Sequence, residues 1–208
     1  MVSQQDAKVR SESLLRGWGV PINVGLPFIE SLEELSPPSA GDVAKRGLVL
    51  CSVIGLGHGM LGSRLRSDLE TYSLWEYASN AEKELLARDT VTQQEKVDCT
   101  WLAECVQVLA WGLGLVELDH FRLCDDSLST KWPIGRAPTN FVAEAKLRPF
   151  DEIYLECDLL YRLHWASREA WLKKQESKLN ESIIQERDRA IRWLAGVEQD
   201  WDQITTDT

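Results

Sequence analysis

The chain is predicted to be all-α, one helical domain over residues 1–208, on three observations. Hydroxyl-to-acid spacings recur along it, in Ser39-Ala40-Gly41-Asp42, Ser67-x-x-Glu70, Ser79-x-x-Glu82 and Thr92-x-x-Glu95. In that spacing the hydroxyl accepts a free first-turn N–H while the acid reaches back to the cap, which opens a helix. Val97–Val116 would be apolar on almost every face of a helix, the mark of a buried one. Apolar residues return at three-to-four spacing in Asp151–Lys174 and Ser177–Ala195.

In chain order, Ser3–Trp18 reads as a short helix carrying Val9, Leu14 and Leu15, brought to an end by Gly17 and Gly19. VPINVGLPFI follows, with two prolines that cannot donate to a ladder, so it is expected as an extended arm over the core. An acidic turn, Glu30–Leu35, leads to the Ser39 cap and a helix face of Val43, Gly47, Leu50, Cys51 and Ile54. The glycines from Gly57 to Gly62 match G-x-G-x-x-G, but no second parallel strand lies at crossover distance. A helix C-cap and loop is the reading taken. Ser67 and Ser79 are expected to open short helices with Leu69, Leu74 and Trp75, then Leu85 and Leu86.

Val97, Trp101, Val108, Trp111 and Leu115 form one stripe of the central helix, and Leu102, Val106, Leu109 and Leu113 a second. Asp98 and Glu104 inside the segment argue against a membrane span. Glu104 falls on the first stripe, where an unpaired carboxylate would cost several kcal/mol, so it must find a partner or a proton. A cation from the last two helices is expected there, His164 and Arg187 being the leading candidates. From Glu117 to Arg148 the periodicity fails, which predicts a long irregular crossover. His120-x3-Cys124-Asp125 lies in it without a second Cys/His pair to close a metal site.

Asp151–Lys174 places Ile153, Cys157, Leu160, His164 and Trp171 on its buried stripe. Asp158–Arg162 and Glu169–Lys173 are i,i+4 pairs on the opposite face and are expected to be solvated. The last helix buries Leu179, Ile183, Ala190 and Leu194, carries Arg187 at the edge of that arc, and stops at Gly196. Trp201 anchors the tail that follows. The candidate buried polar cluster is Glu104, His164 and Arg187, with Arg162 added as company for the pair although its i,i+4 pairing with Asp158 is read first as solvated.

The 33 acidic against 23 basic residues set a formal charge of −10, which repels phosphate backbones and anionic lipid. Neither nucleic acid nor a membrane is expected as a partner, whereas a basic protein is allowed. Five cysteines, an odd number without a CxxC pair, and no charged-then-apolar leader at Met1–Arg16 point to a reducing cytoplasm.

Spread over most of the chain are Gly19-Val20-Pro21, Leu26-Pro27, Trp101-x-x-Glu104, Leu109-Ala110-Trp111-Gly112-Leu113-Gly114 and Cys124-Asp125. They continue in Ala145-x-Leu147-Arg148, Glu152-Ile153, Asp158-x-x-Tyr161-Arg162-x-His164-Trp165-Ala166, Glu186-Arg187, Trp193-Leu194, Trp201-Asp202 and Asp207-Thr208. In combination these resemble the family known as domain of unknown function 4272. Two positions depart from its pattern: Pro149 stands where a small hydroxyl precedes the penultimate helix, and Leu102 where a basic residue follows the central tryptophan. The resemblance implies a shared fold and brings no activity with it.

Two functions are weighed. An enzyme would use a buried Glu104/His164 pair for acid–base work, with Arg162, Arg187 and Tyr161 beside it. Yet such a pair is also a sufficient structural device, and no nucleophile motif, metal spacing or phosphate loop accompanies it. No catalytic, cofactor-binding or metal residue is assigned. The favoured expectation is a non-catalytic protein-binding protein, in one concrete form a cytoplasmic immunity protein neutralising a basic toxin. Glu33, Glu34 and Asp126 are its candidate acidic partner surface.

Overall fold

A computed structural model describes residues 2–206 of the chain. The described residues form eight α-helices: α1 (Gln4–Trp18), α2 (Ala40–Gly57), α3 (Gly62–Thr71), α4 (Asn80–Leu86), α5 (Gln93–Gly112), α6 (Thr139–Glu144), α7 (Phe150–Leu172) and α8 (Glu181–Ala195). Among the described residues there is no strand. The fold is all-α.

Capping explains most of the helix starts. Ser3, Ser79 and Thr92 each form a reciprocal capping box, and the Ser39 hydroxyl accepts the Asp42 N–H. Ser67 opens nothing. It lies inside α3, which begins at Gly62 without a side-chain cap. Gly62 sits there because a Cβ would fall 2.1 Å from the Arg88 carbonyl oxygen. Leu48–Ile54 belongs to α2, so the glycine run is a helix end and a loop.

The Thr92 box carries a pH-dependent contribution. Hydrogen bonds from the Thr92 backbone N–H, the Arg88 guanidinium and the Thr92 hydroxyl hold the Glu95 carboxyl at about 2, below its ordinary 4.5. A depressed folded-state value stabilises the fold above the unfolded value, and that contribution disappears as pH falls from 4.5 through about 2. Carboxyl NMR should give Glu95 a midpoint near 2. A midpoint at the ordinary carboxylate value would show that the box is not held in solution.

The principal helix contacts run in the order α2–α5–α8–α7–α1, with α3, α4 and α6 added to the α2 side. Two corrections follow for α5. It ends at Gly112, not Val116, and its continuous burial is confined to Glu104–Gly112. Val97 is 39% exposed, because the first turns face solvent on one side. Its neighbour α8 is as central, with α5 on one flank and α7 on the other.

The same order explains α7. It lies between α8 and α1, so the face opposite its main stripe is covered rather than solvated, and both Asp158 and Arg162 are buried. At its C-terminus the stripe outruns its cover, and Trp171 is 66% exposed. The arm crosses this layer: Tyr154 donates to the Glu30 carbonyl at 2.9 Å, and the Ser36 N–H to the Gly196 carbonyl at 3.1 Å. The crossover contains one 3-10 stretch, Asp126–Lys131, and the short α6.

Candidate functional site

Glu104 is 1% exposed, and its partner is Arg187. Arg187 Nε donates to Glu104 Oε2 at 2.8 Å and Nη2 lies 2.7 Å from the same oxygen. The other donors of that guanidinium reach the crossover, Nη1 to the Asp119 carbonyl at 2.6 Å and Nη2 to the Arg122 carbonyl at 2.9 Å. Glu104 Oε1 accepts the Cys124 N–H at 2.9 Å. An irregular segment has no helical ladder to satisfy its backbone, so each group it brings inward needs a partner. The pair provides three such contacts. It is a clamp on the crossover.

His164 is placed elsewhere. Its Nδ1 lies 3.1 Å from Asp188 Oδ2, both residues are fully buried, and Arg192 Nε donates to that same oxygen at 3.1 Å. Arg162 forms a third unit, bidentate to Asp158 at 2.9 Å in each arm, with the Pro27 carbonyl of the arm at 3.4 Å. The four residues expected to form one cluster therefore enter three separate ion-paired units. Glu104 and His164 each have a different principal partner, because α8 presents Arg187 towards α5 and Asp188 towards α7.

Two buried units were missed. Arg46 of α2 is bidentate to Glu82, donates to the Tyr77 carbonyl at 2.9 Å, and lies 4.2 Å from the centre of the Trp201 ring. Arg189 covers Trp201 at 5.0 Å. A sequence signal existed: Arg46 is three residues after Val43 and four before Leu50, on the buried face of α2. Glu82 was read as a capping acid, and it is both cap and ion-pair partner. The second unit is His120 with Glu156, 3.0 Å apart, against the ring of Trp18. His120, Cys124 and Asp125 thus serve three different partners: Glu156, Glu104 and, through a turn cap, Ser127.

A cleft of about 580 Å³ opens beside the Arg46 unit, where Pro37, Asp42, Tyr77, Trp193, Asp200 and Trp201 contribute to its walls. Glu33 and Glu34 are exposed in the turn just before its lip at Ser36. Asp126 is exposed too, but it borders a different recess, with Cys51, Ile54 and Val106. The expected acidic surface is therefore divided between two places.

A family model described as domain of unknown function (DUF4272) matches residues 7–204. The chain belongs to the DUF4272 family. No curated protein and no solved structure matches it. The motif residues by which this DUF4272 chain resembled the family include Glu104, Asp158, Arg162, His164, Arg187 and Trp201, all members of the buried units above. Asp207 and Thr208 lie outside the described residues. Pro149 serves as the N-cap residue of α7 without a side-chain bond, and Leu102 deprives Glu104 of nothing, since Arg187 supplies the cation.

Burial sets the state of the thiols in the DUF4272 chain. Burial pushes the thiols of Cys51 and Cys124 up to about 12, with Glu104 adding to the effect at Cys124, and burial raises Cys99, Cys105 and Cys157 as well. A thiol must ionise to act as a nucleophile, and these are shifted away from ionisation at neutral pH.

Proposed function

We propose that the chain is a protein-binding protein that works without turnover by covering a basic surface of its partner, an immunity protein against a basic toxin being the concrete form. One observation carries the reading. Most charged groups of the interior are spent in neutral pairs, Arg46–Glu82, Glu104–Arg187, Asp158–Arg162 and Asp188–Arg192, while the buried Glu156 faces His120. Each pair cancels itself, so the formal charge of −10 resides outside them. A field of that sign steers a basic partner and speeds encounter. The cleft adds a place to engage, with Asp42 and Asp200 beside Trp193, an arrangement suited to a lysine or arginine side chain. The alternative of acid–base catalysis by Glu104 with His164 loses support, since each is held by its own structural partner.

The test is co-expression with the product of the adjacent gene, scoring survival against formation of a stoichiometric complex. With purified partners, the on-rate should fall steeply between low salt and about 0.5 M, as the screening length contracts from tens of ångströms to a few. Neutralising Glu33, Glu34, Asp42 and Asp200 together should slow association more than it speeds release. Protection at substoichiometric amounts would instead require turnover. So would protection abolished by Glu104→Gln while fold and complex persist.

A further inference from the structure

A recess of about 350 Å³ lies farther along α2, within the roughly 300–1,000 Å³ of small-molecule sites. Its floor is α2 at Leu48, Cys51 and Gly55, one wall is α3 at Leu65, and the other is the crossover at Pro133 and Ile134. Met60 and Ile134, 42% and 50% exposed, leave apolar surface open to solvent there. The polar groups of the lining have an uneven sign. Arg64 and Arg136 both line the recess and are exposed, and neither guanidinium has a partner among the described residues. Asp68 is the one carboxylate in the lining among the described residues. The arginines of the interior are tied to carboxylates, so two unpaired guanidiniums beside an apolar hollow reverse the sign of a chain that is otherwise strongly acidic.

We propose that this recess binds a small amphipathic anion, its apolar body against α2 and its carboxylate or related head held by Arg64 and Arg136. Apolar lining supplies the area-dependent part of the affinity, and the guanidiniums select the head by charge-assisted hydrogen bonds. The anion is a free molecule rather than a bilayer component, because the net charge of −10 repels an anionic membrane surface. The site is separate from the 580 Å³ cleft, so it stands or falls independently of the protein-binding reading.

Calorimetry on the purified full chain with decanoate, decan-1-ol and decylammonium, each kept below its micellar concentration, separates the two contributions. Decanoate should bind most tightly. The double variant Arg64→Glu/Arg136→Glu should weaken decanoate by roughly tenfold, since each exposed pair contributes only a small factor, while leaving decan-1-ol in place. Ser52→Trp, which puts an indole into the lining, should abolish all three with the helical circular dichroism retained. The arginine changes are at exposed positions and keep the test open if the tryptophan variant fails to fold. The proposal is overturned if decanoate does not bind, if the three heads bind alike, or if the double variant leaves decanoate unchanged. Association with phosphatidylglycerol vesicles in preference to the free acid would also overturn it.

Discussion

Glu104→Ala is expected to lower the unfolding free energy by about 3–5 kcal/mol, the range for removing one partner of a buried ion pair. The cost arises from what is left behind. Arg187 is 1% exposed and would lose its counter-charge in the interior, and the Cys124 N–H would lose its acceptor. Denaturant titration checks the size, and a loss under about 0.5 kcal/mol, typical of an open surface position, would contradict the burial. Because the pair holds Asp119, Arg122 and Cys124 through their backbones, hydrogen exchange should accelerate over residues 119–124 before it does in α7. The Cys124 thiol should react faster with a disulfide reagent, since Glu104 is one cause of its raised value. Glu104→Gln, which keeps an acceptor, should show both effects more weakly.

Gly196→Ala is the second large effect, expected at about 2–5 kcal/mol from strain and overlap together. Gly196 caps α8 in the left-handed region at φ 81°, and a Cβ there would lie 2.2 Å from the Ser36 carbonyl carbon. Gly19 ends α1 at φ 69°, yet its Cβ would meet nothing closer than Lys178 Nζ at 3.7 Å. Gly19→Ala therefore measures the left-handed strain alone, about 1–2 kcal/mol. Thermal unfolding of the two variants isolates the overlap with the arm. Equal losses would mean that the Ser36–Pro37 segment is not seated on α8 in solution.

The helix starts at Ser39, Ser79 and Thr92 were legible because a cap depends on a spacing of three residues within one stretch of chain, whereas the Ser3 box was not read from its spacing. Ser67-x-x-Glu70 has the same spacing, but there the helix had already begun five residues earlier, at Gly62, and the hydroxyl had no free N–H to accept. Periodicity also marked Glu104 and His164 as inward-pointing, since stripe position depends only on sequence separation. It misplaced Trp171 and the Asp158–Arg162 pair, because a stripe says which residues share a face and not whether that face is covered.

Sequence alone thus determined the all-α class, the arm, the crossover and the presence of a buried carboxylate on the central helix, all of which rest on local spacing or on composition. Tertiary structure alone decided who meets whom. Glu104 and Arg187 are 83 residues apart, and their pairing depends on α8 lying between α5 and α7 with one face towards each. Arg187 and Asp188 are neighbours in sequence, yet the 100° step of the helix sends one to Glu104 and the other to His164. A helix face has one direction in the chain and acquires a partner only when packing sets another face against it.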